Sequence, residues 1–420
     1  MLSSPAVAGF FRDDTGNLTC DEVSLAAIAA AVGTPVYVYS RALVEESYLR
    51  FDRALSGVAH LVCYATKANS NLALLRALAA LGAGADVVSG GELRAAVESG
   101  IPPERIVFSG VGKTDEEIKL GVQLKILAFN AESPREIEKI DAAAAALDTT
   151  ARVALRVNPD IDPKSHPYIS TGLKHNKFGI DIGRALELYE GARRLAHVRM
   201  TGIQAHIGSQ IGDPRPLAET ARELALLASQ LLQRGFALET LDVGGGIGIG
   251  ESESPALSPE EYARAVLAPL EGLPLRILVE PGRAIVGAAG ALVTRVLYRK
   301  TNGGKEFVIV DAGMNDLIRP PLYGAIHPIE SVAPPTGRPL VADIVGPICE
   351  SSDFFARDRT LPAPEEGDLL AILDSGAYGF AMASNYNFRN RAAEVLVQSN
   401  GFAVVRRRET FEDLVRLERE

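Results

Sequence analysis

Cysteine is scarce in this sequence: Cys20, Cys63 and Cys349 are the only three in 420 residues, and they show no metal-type spacing. That argues against a disulfide framework and a cysteine-built metal site, and it points to a reducing compartment. Positive charge is in deficit too. The 43 basic residues against 53 acidic ones leave a formal charge of −10. No global basic field is therefore available for nucleic acid or an anionic membrane, and an anionic ligand must rely on local donors. No stretch reaches the roughly 18 consecutive apolar residues that a spanning helix needs. The opening MLSSPAVAGFFRDD lacks a basic stretch followed by a long apolar run, so no signal peptide is expected and the cytoplasm is the expected location. Low-complexity tracts are missing, as is any short-period repeat beyond one alternation of strands and helices.

That alternation is the main positive signal. With 47% hydrophobic and 23% charged residues the chain is a well-cored globular protein, and its length suggests two domains. Eight short apolar, β-branched runs follow one another: LVCYA (61–65), ADVVS (85–89), RIVFS (105–109), KILAF (125–129), RVALRV (152–157), TGIQAHI (201–207), ETLDV (239–243) and RILVE (276–280). Stretches rich in Ala, Leu and Glu separate them and read as helices. Eight such units fit a (β/α)8 barrel, expected over 41–285. A doubly wound sheet would carry a glycine-rich phosphate turn after its first strand, and that turn is missing. From 286 to 420 the pattern changes to strand after strand with Pro- and Gly-rich turns. It predicts an antiparallel β-sandwich or β-barrel domain that also takes in residues 1–40, where PVYVYS (35–40) is a further strand. The fold class is thus α/β plus all-β.

Almost every barrel strand is followed by a residue capable of chemistry. In order these are Lys67, Asp86 with Ser89, Ser109, Asn130, Arg156, His206 with Ser209, Gly244 to Gly246, and Glu280 with Arg283. Each alone has a bland reading as a solvated charge or a satisfied core group. Together they converge on the mouth where such barrels keep their active sites. VGGGIGIG (243–250) offers backbone N–H groups to an anion without Cβ obstruction, and Arg283 in EPGR adds a planar donor fork. A phosphorylated small molecule is the expected ligand. Lys67, in YATKANS, then suits either a Schiff-base aldolase or a pyridoxal phosphate enzyme. Glu280 favours the second, because a buried carboxylate can keep a pyridine nitrogen protonated.

The stretches YATKANS, ADVVSGGEL, LRVNP, KFGI, HIGSQ, LDVGGGIG, EPGR, RPPLYGAIHPI, GPICESSD and DSGAYG run from Tyr64 to Gly379. Through them the chain resembles the fold-type III pyridoxal phosphate decarboxylases. The resemblance implies that Lys67 binds the cofactor aldehyde, that His206 stacks on its ring and that Glu280 pairs with its nitrogen. It puts Ser209, Gly245, Gly246, Gly282 and Arg283 about the phosphate, with Arg283 also within reach of substrate. Asp86 and Arg156 stand behind the lysine and Glu280. Arg319 and Tyr323 match positions for the distal end of meso-2,6-diaminopimelate, which would lose one carboxylate to give L-lysine. Cys349 and Glu350 match the proton donor and its substrate-binding neighbour, and Tyr378 matches a cofactor and substrate contact. The family forms homodimers with the active site at the interface. No metal is implied. Ser375 stands where alanine is usual and Ala284 where serine is common, and neither replaces a group with a chemical role; the loop 170–180 has HN before KFG where a serine is often seen, a departure that leaves its contribution to substrate contacts open. Ornithine- or arginine-type decarboxylation is the nearest rival, although Arg319 would repel a cationic distal end. A racemase would want an arginine in place of Glu280, and a non-catalytic cofactor carrier would not need the β segment after 286.

Overall fold

Each barrel strand is buried along nearly its whole length, as a parallel strand covered by helices must be. The computed structural model describes residues 9–162, 176–250 and 256–419. The chain divides into two compact units, Ser47–Ala284 and a second made of Met1–Glu46 with Ile285–Glu420.

The first unit is a closed parallel barrel of β1 (His60–Ala65), β2 (Gly84–Val87), β3 (Ile106–Phe108), β4 (Ala128–Ala131), β5 (Ala151–Asn158), β6 (Val198–Gln204), β7 (Thr240–Asp242) and β8 (Arg276–Val279). Each strand pairs with the next, and β8 closes the ring on β1 through Ile277↔His60 and Leu278↔Leu61. Helices alternate with the strands, and their starts carry local signals. Thr114 and Ser258 form capping boxes with Glu117 and Glu261, and Ser133 and Asp213 cap helices that begin with proline. Such caps contribute about 1 kcal/mol each. Two strands are displaced from their sequence expectation. Lys125 adopts a left-handed conformation (φ +55°) that closes the helix Asp115–Leu124, so β4 begins three residues late. β6 starts early and ends at Gln204, which leaves His206 beyond the ladder.

Alternate residues on a strand face the same side, so each barrel strand offers successive positions two residues apart. The earlier positions are small or apolar, with Thr240 the exception: Cys63, Gly84, Val107, Ala128, Ala154, Gly202, Thr240 and Leu278. A Cβ on Gly202 would lie 2.3 Å from Thr240 Oγ1 and 3.4 Å from Ala154 Cβ, so these three strands meet tightly there. Two residues further along, the inward positions are Ala65, Asp86, Ser109, Asn130, Arg156, Gln204, Asp242 and Glu280. One step up each strand converts a packed core into a polar ring.

The second unit contains a sheet in the order Phe354–Pro362, Pro339–Val345, Lys305–Val310, Gly290–Asn302, Val36–Ser40, Ala393–Gln398, Gly401–Arg406, with Leu369–Ile372 also paired to Gly290–Asn302 and Ile329–Ser331 paired in turn to Leu369–Ile372. The N-terminal segment does supply a central strand, Val36–Ser40, which is buried throughout. The expectation of an antiparallel arrangement needs correcting at two places. Lys305–Val310 runs parallel to Pro339–Val345, and Val36–Ser40 runs parallel to Ala393–Gln398. In the first case the segment 311–338 returns the chain to the starting end of the sheet through the helix Arg319–Tyr323, which a tight hairpin cannot do. The sheet is therefore mixed.

An ion pair unread in the sequence braces the barrel between β3 and β4. Lys113 is 1% exposed at its side chain and donates to Glu136 Oε1 (2.7 Å), Gly110 O (2.9 Å) and Asn130 O (2.9 Å). Lys113→Met would strand a buried carboxylate and should lower stability by about 3–5 kcal/mol. Adding Glu136→Gln should recover more than about 1 kcal/mol of that by removing the unpaired charge. Urea unfolding followed by circular dichroism measures both; a single variant as stable as the parent would mean that the pair contributes nothing.

Candidate active site

Lys67 lies on a single 3-10 turn, Thr66–Ala68, directly after β1. Its Nζ donates to Asp86 Oδ2 at 2.7 Å; the lysine side chain is 34% exposed and the aspartate side chain is fully buried. The amine thus stands at the edge of the polar ring with its charge held from below. The Thr66 hydroxyl donates to Glu92 Oε2 at 2.6 Å, which fixes the turn to the helix Gly90–Glu98. Burial pushes the Glu92 carboxyl above its usual range against the hydrogen bonds from Thr66 and the Val88 N–H.

Across the ring, Glu280 follows β8 and is buried. Its Oε1 accepts from Asn130 Nδ2 (3.3 Å) and its Oε2 from Gln204 Nε2 (3.1 Å); Asn130 also donates to Ser109 Oγ at 3.0 Å. Burial drives the Glu280 pKa well above the carboxylate range, and the neighbouring acids Asp242 and Asp86 push it further, while Lys67 opposes them. Asp242, at the end of β7, is raised to about 6, mainly by burial.

The glycine run forms a cradle closed to side chains. A Cβ on Gly245 would lie 2.1 Å from Glu280 O, and one on Gly246, whose φ is +96°, would lie 2.1 Å from Gly208 O. Gly245 N–H donates to His206 Nδ1 at 3.3 Å. The His206 pKa is pushed well below its usual value by burial and then by the charges of Lys67 and Arg156, so the ring is neutral, accepting at Nδ1. Arg283, buried, donates from Nη2 to Ser209 Oγ at 3.4 Å. Gly282 faces Ala65 at the end of β1, where an added Cβ would come within 3.0 Å of the alanine Cβ. His206 therefore links the two halves of the mouth: it feels the lysine charge and contacts the glycine cradle.

An amine, an anion cradle and a buried acid on one barrel rim fit a phosphorylated aldehyde bearing a ring nitrogen. Residues 41–287 match the family model of the pyridoxal-dependent decarboxylases, pyridoxal binding domain. The chain belongs to the pyridoxal-dependent decarboxylases. Among its relatives, diaminopimelate decarboxylase of Aquifex aeolicus is 48% identical over 96% of both chains. The crystal structure of diaminopimelate decarboxylase from Helicobacter pylori complexed with L-lysine matches at 46% identity and TM-score 0.91, covering 94% of this chain and 98% of that one. A lysine/ornithine decarboxylase from Vibrio vulnificus, complexed with putrescine, shares the fold at TM-score 0.79 but only 24% identity, over 89% of this chain and 97% of that one. Pyridoxal phosphate is the cofactor of the family, and the barrel of this decarboxylase carries the groups to hold it.

The barrel brings Lys67, Asp86, His206, Ser209, Gly245, Gly246, Glu280, Gly282 and Arg283 to one rim. Arg156 sits slightly apart, its Nη1 donating to Glu132 Oε1 at 2.9 Å and its guanidinium over the Phe178 ring. Asp242, Gln204 and Glu132 were not singled out from the sequence. The first two stand two residues before Gly244 and His206, so the alternation along each strand was the signal that could have found them.

The other site candidates lie in the second unit. Arg319 is buried and donates from Nη1 to His327 Nε2 (3.0 Å), while His327 Nδ1 donates to Leu373 O (2.9 Å). Tyr323 closes the same short helix. Cys349 and Glu350 are exposed, and the Cys349 N–H donates to Asn387 Oδ1 at 2.8 Å. Tyr378 is half-buried with φ +56°. Ser375 is fully buried, and its hydroxyl lies 2.9 Å from Ile372 O and 3.2 Å from Leu373 O, which accommodates the departure from alanine. Positions 170–175 of the departing loop lie outside the described residues. Gly246→Ala should weaken pyridoxal phosphate binding by about tenfold or more, through strain and the clash with Gly208 O. Gly250→Ala, with no neighbouring atom within 4 Å of the added Cβ, should bind like the parent. Titration of the apoprotein with cofactor, read by absorbance, separates the two; equal affinity would mean that the cradle holds no phosphate.

Proposed function

We propose that this chain decarboxylates meso-2,6-diaminopimelate to L-lysine and carbon dioxide, with pyridoxal phosphate held on Lys67. The observation that carries the reading is likeness over almost the entire chain. The 48% identity spans 96% of it, including the β unit that holds Arg319, Tyr323, Cys349 and Tyr378, and a lysine-bound relative matches at TM-score 0.91. The ornithine- or arginine-type reading has no comparable support.

Pyridoxal phosphate supplies an electron sink for the pair left at Cα when carbon dioxide departs. The chain supplies position, charge and protons. To engage an aldehyde the Lys67 amine must be neutral, and Asp86 Oδ2, at 2.7 Å, is the group that can take its proton. Neutral His206 offers an uncharged aromatic face. Glu280 would pair with the ring nitrogen, its orientation fixed by Asn130 and Gln204. Ser209, Gly245, Gly246, Gly282 and Arg283 would hold the phosphate. Two groups remain for the substrate's far end, its carboxylate suiting Arg319 and its polar neighbourhood Tyr323. Tyr378 would touch both cofactor and substrate. The Cys349 thiol would return a proton to Cα, and Glu350 beside it would bind the substrate amine.

The homodimer is part of the same proposal, since an exposed Cys349 is available to a second subunit. No helix among the described residues is long and apolar enough to cross a membrane. We place the enzyme in the cytoplasm, on the support of three cysteines with no disulfide between them.

Carbon dioxide release should be found with diaminopimelate and be at least about a hundredfold slower with ornithine, arginine or lysine. Comparable rates with ornithine would overturn the substrate assignment. Arg319→Leu should reduce turnover of diaminopimelate far more than cofactor occupancy, and equal loss of both would make Arg319 structural. Borohydride reduction should fix the cofactor to the peptide containing Lys67, as mass spectrometry would read.

A further inference from the structure

Asp242 has no role in the mechanism above, yet it touches two parts of the cradle at once. It ends β7 and is 2% exposed. Its Oδ1 accepts the N–H of Gly244, the first glycine of the loop, at 2.8 Å. Its carboxyl lies near enough to that of Glu280 for the two acids to interact. The backbone forces this meeting. Asp242 lies opposite Leu278 in the β7–β8 ladder, and the Glu280 N–H donates to Gly244 O at 2.8 Å, so both acids rise from neighbouring strands into one buried space. Asp242 Oδ2 is buried without an amide, hydroxyl or ammonium donor among the described residues. Two carboxyl groups can share such a space only if one of them carries a proton.

We propose that Asp242 is a positioning residue for the pyridoxal ring, sharing one proton with Glu280 and tying that carboxyl pair to the glycine loop that would hold the phosphate. The inference deepens the decarboxylase reading and rests on it. With one proton between them the two acids carry a single negative charge. A cationic ring nitrogen beside Glu280 draws that charge onto Glu280 and leaves the proton on Asp242, whose O–H then donates to the Glu280 carboxylate. No proton is gained or lost by the pair. The other titratable groups facing Asp242 are Asp86 on β2, Lys67 after β1, Cys63 on β1 and Tyr262 on the helix Pro259–Leu267. Lys67 is the one cation of this set, and Asp86 already engages it.

Two substitutions separate the parts of the proposal. Asp242→Asn keeps an acceptor for Gly244 and gives Glu280 a permanent N–H donor while removing one negative charge. Both changes favour ionised Glu280, so its pKa falls and the ionised form persists to lower pH. Cofactor affinity near neutrality should stay within about threefold of the parent, and its acid limb should move down by about one pH unit or more. Asp242→Ala removes the acceptor as well, and affinity should fall about tenfold or more at all pH values. The measurement is titration of each apoprotein with pyridoxal phosphate from mildly acid to mildly basic pH, with circular dichroism to establish that the variants are folded. An acid limb that overlays the parent's in the Asn variant would overturn the shared proton, whatever the fate of the Ala variant. Affinity unchanged in both variants would remove Asp242 from the site altogether. Parent protein that takes up no cofactor at any pH would instead sink the decarboxylase reading, and this inference with it.

Discussion

The 2.7 Å contact between Lys67 Nζ and the buried Asp86 carboxylate sets the terms for the rest of the barrel mouth. A carboxylate with no exposed side-chain surface is strongly disfavoured without a counter-charge, and the lysine supplies one. In the proposed reaction the same lysine gives up its proton to engage a carbonyl. Asp86 stabilises the resting ammonium and is the carboxylate in direct contact with it. The turn Thr66–Ala68 makes this geometry possible. β1 ends at Ala65, and two residues later the chain has folded back enough for a long side chain to reach β2. Fixing that turn through Thr66 and Glu92 restricts the lysine backbone while leaving its amine at the solvent edge.

Charge balance divides the mouth into two regions. On the side of β3 to β5 the ions are matched: Lys113 with Glu136, and Arg156 with Glu132. Glu132 also accepts the N–H groups of Gly110 at 3.1 Å and Gly179 at 2.8 Å. Those pairs brace the strand ends against one another. On the opposite side three carboxyls, Asp86, Asp242 and Glu280, lie near Lys67, while Arg283 turns its guanidinium to Ser209 at the glycine cradle. The mismatch explains why burial raises Glu280 and Asp242 rather than expelling them. It also leaves a place where one more positive charge is welcome, which is what a protonated pyridine nitrogen brings.

Much of this was legible in the sequence because a barrel imposes simple periodicity. Eight apolar runs gave eight strands, and the chemical residues at their ends gave the rim. The misplacements have local causes. KILAF looks like a strand from its first residue, but Lys125 takes a left-handed conformation to end a helix, which a propensity for extended structure does not reveal. Phe354–Pro362, with its charged middle, and the short Ile329–Ser331 carry too little apolar pattern to announce themselves, and the parallel pairings in the β unit depend on where a long connection lands. Asp242 and Gln204 were visible as letters but not as groups, since both precede more conspicuous neighbours. Lys113 and Glu136 read as ordinary helix-boundary charges, and their burial comes only from the packing of helices against β3 and β4.

The small or apolar residues that precede the polar ones on each strand explain why the rim can be so rich in acid without dissolving the barrel. Below Asp86, Arg156, Gln204, Asp242 and Glu280 stand Gly84, Ala154, Gly202, Thr240 and Leu278, each two residues earlier on the same strand. Small residues there let the strands approach closely, to the point that Gly202 has no room for a Cβ beside Thr240. Close strands hold the upper side chains in fixed directions, and fixed directions let Asn130 and Gln204 satisfy Glu280 in either charge state. An amide can donate equally to a neutral or an ionised carboxyl, so these two residues orient Glu280 without dictating its proton. Control of that proton is then left to the neighbouring acids and to whatever cation the mouth receives, which is the property a site needs if its carboxyl must respond to a ring nitrogen rather than merely contact it.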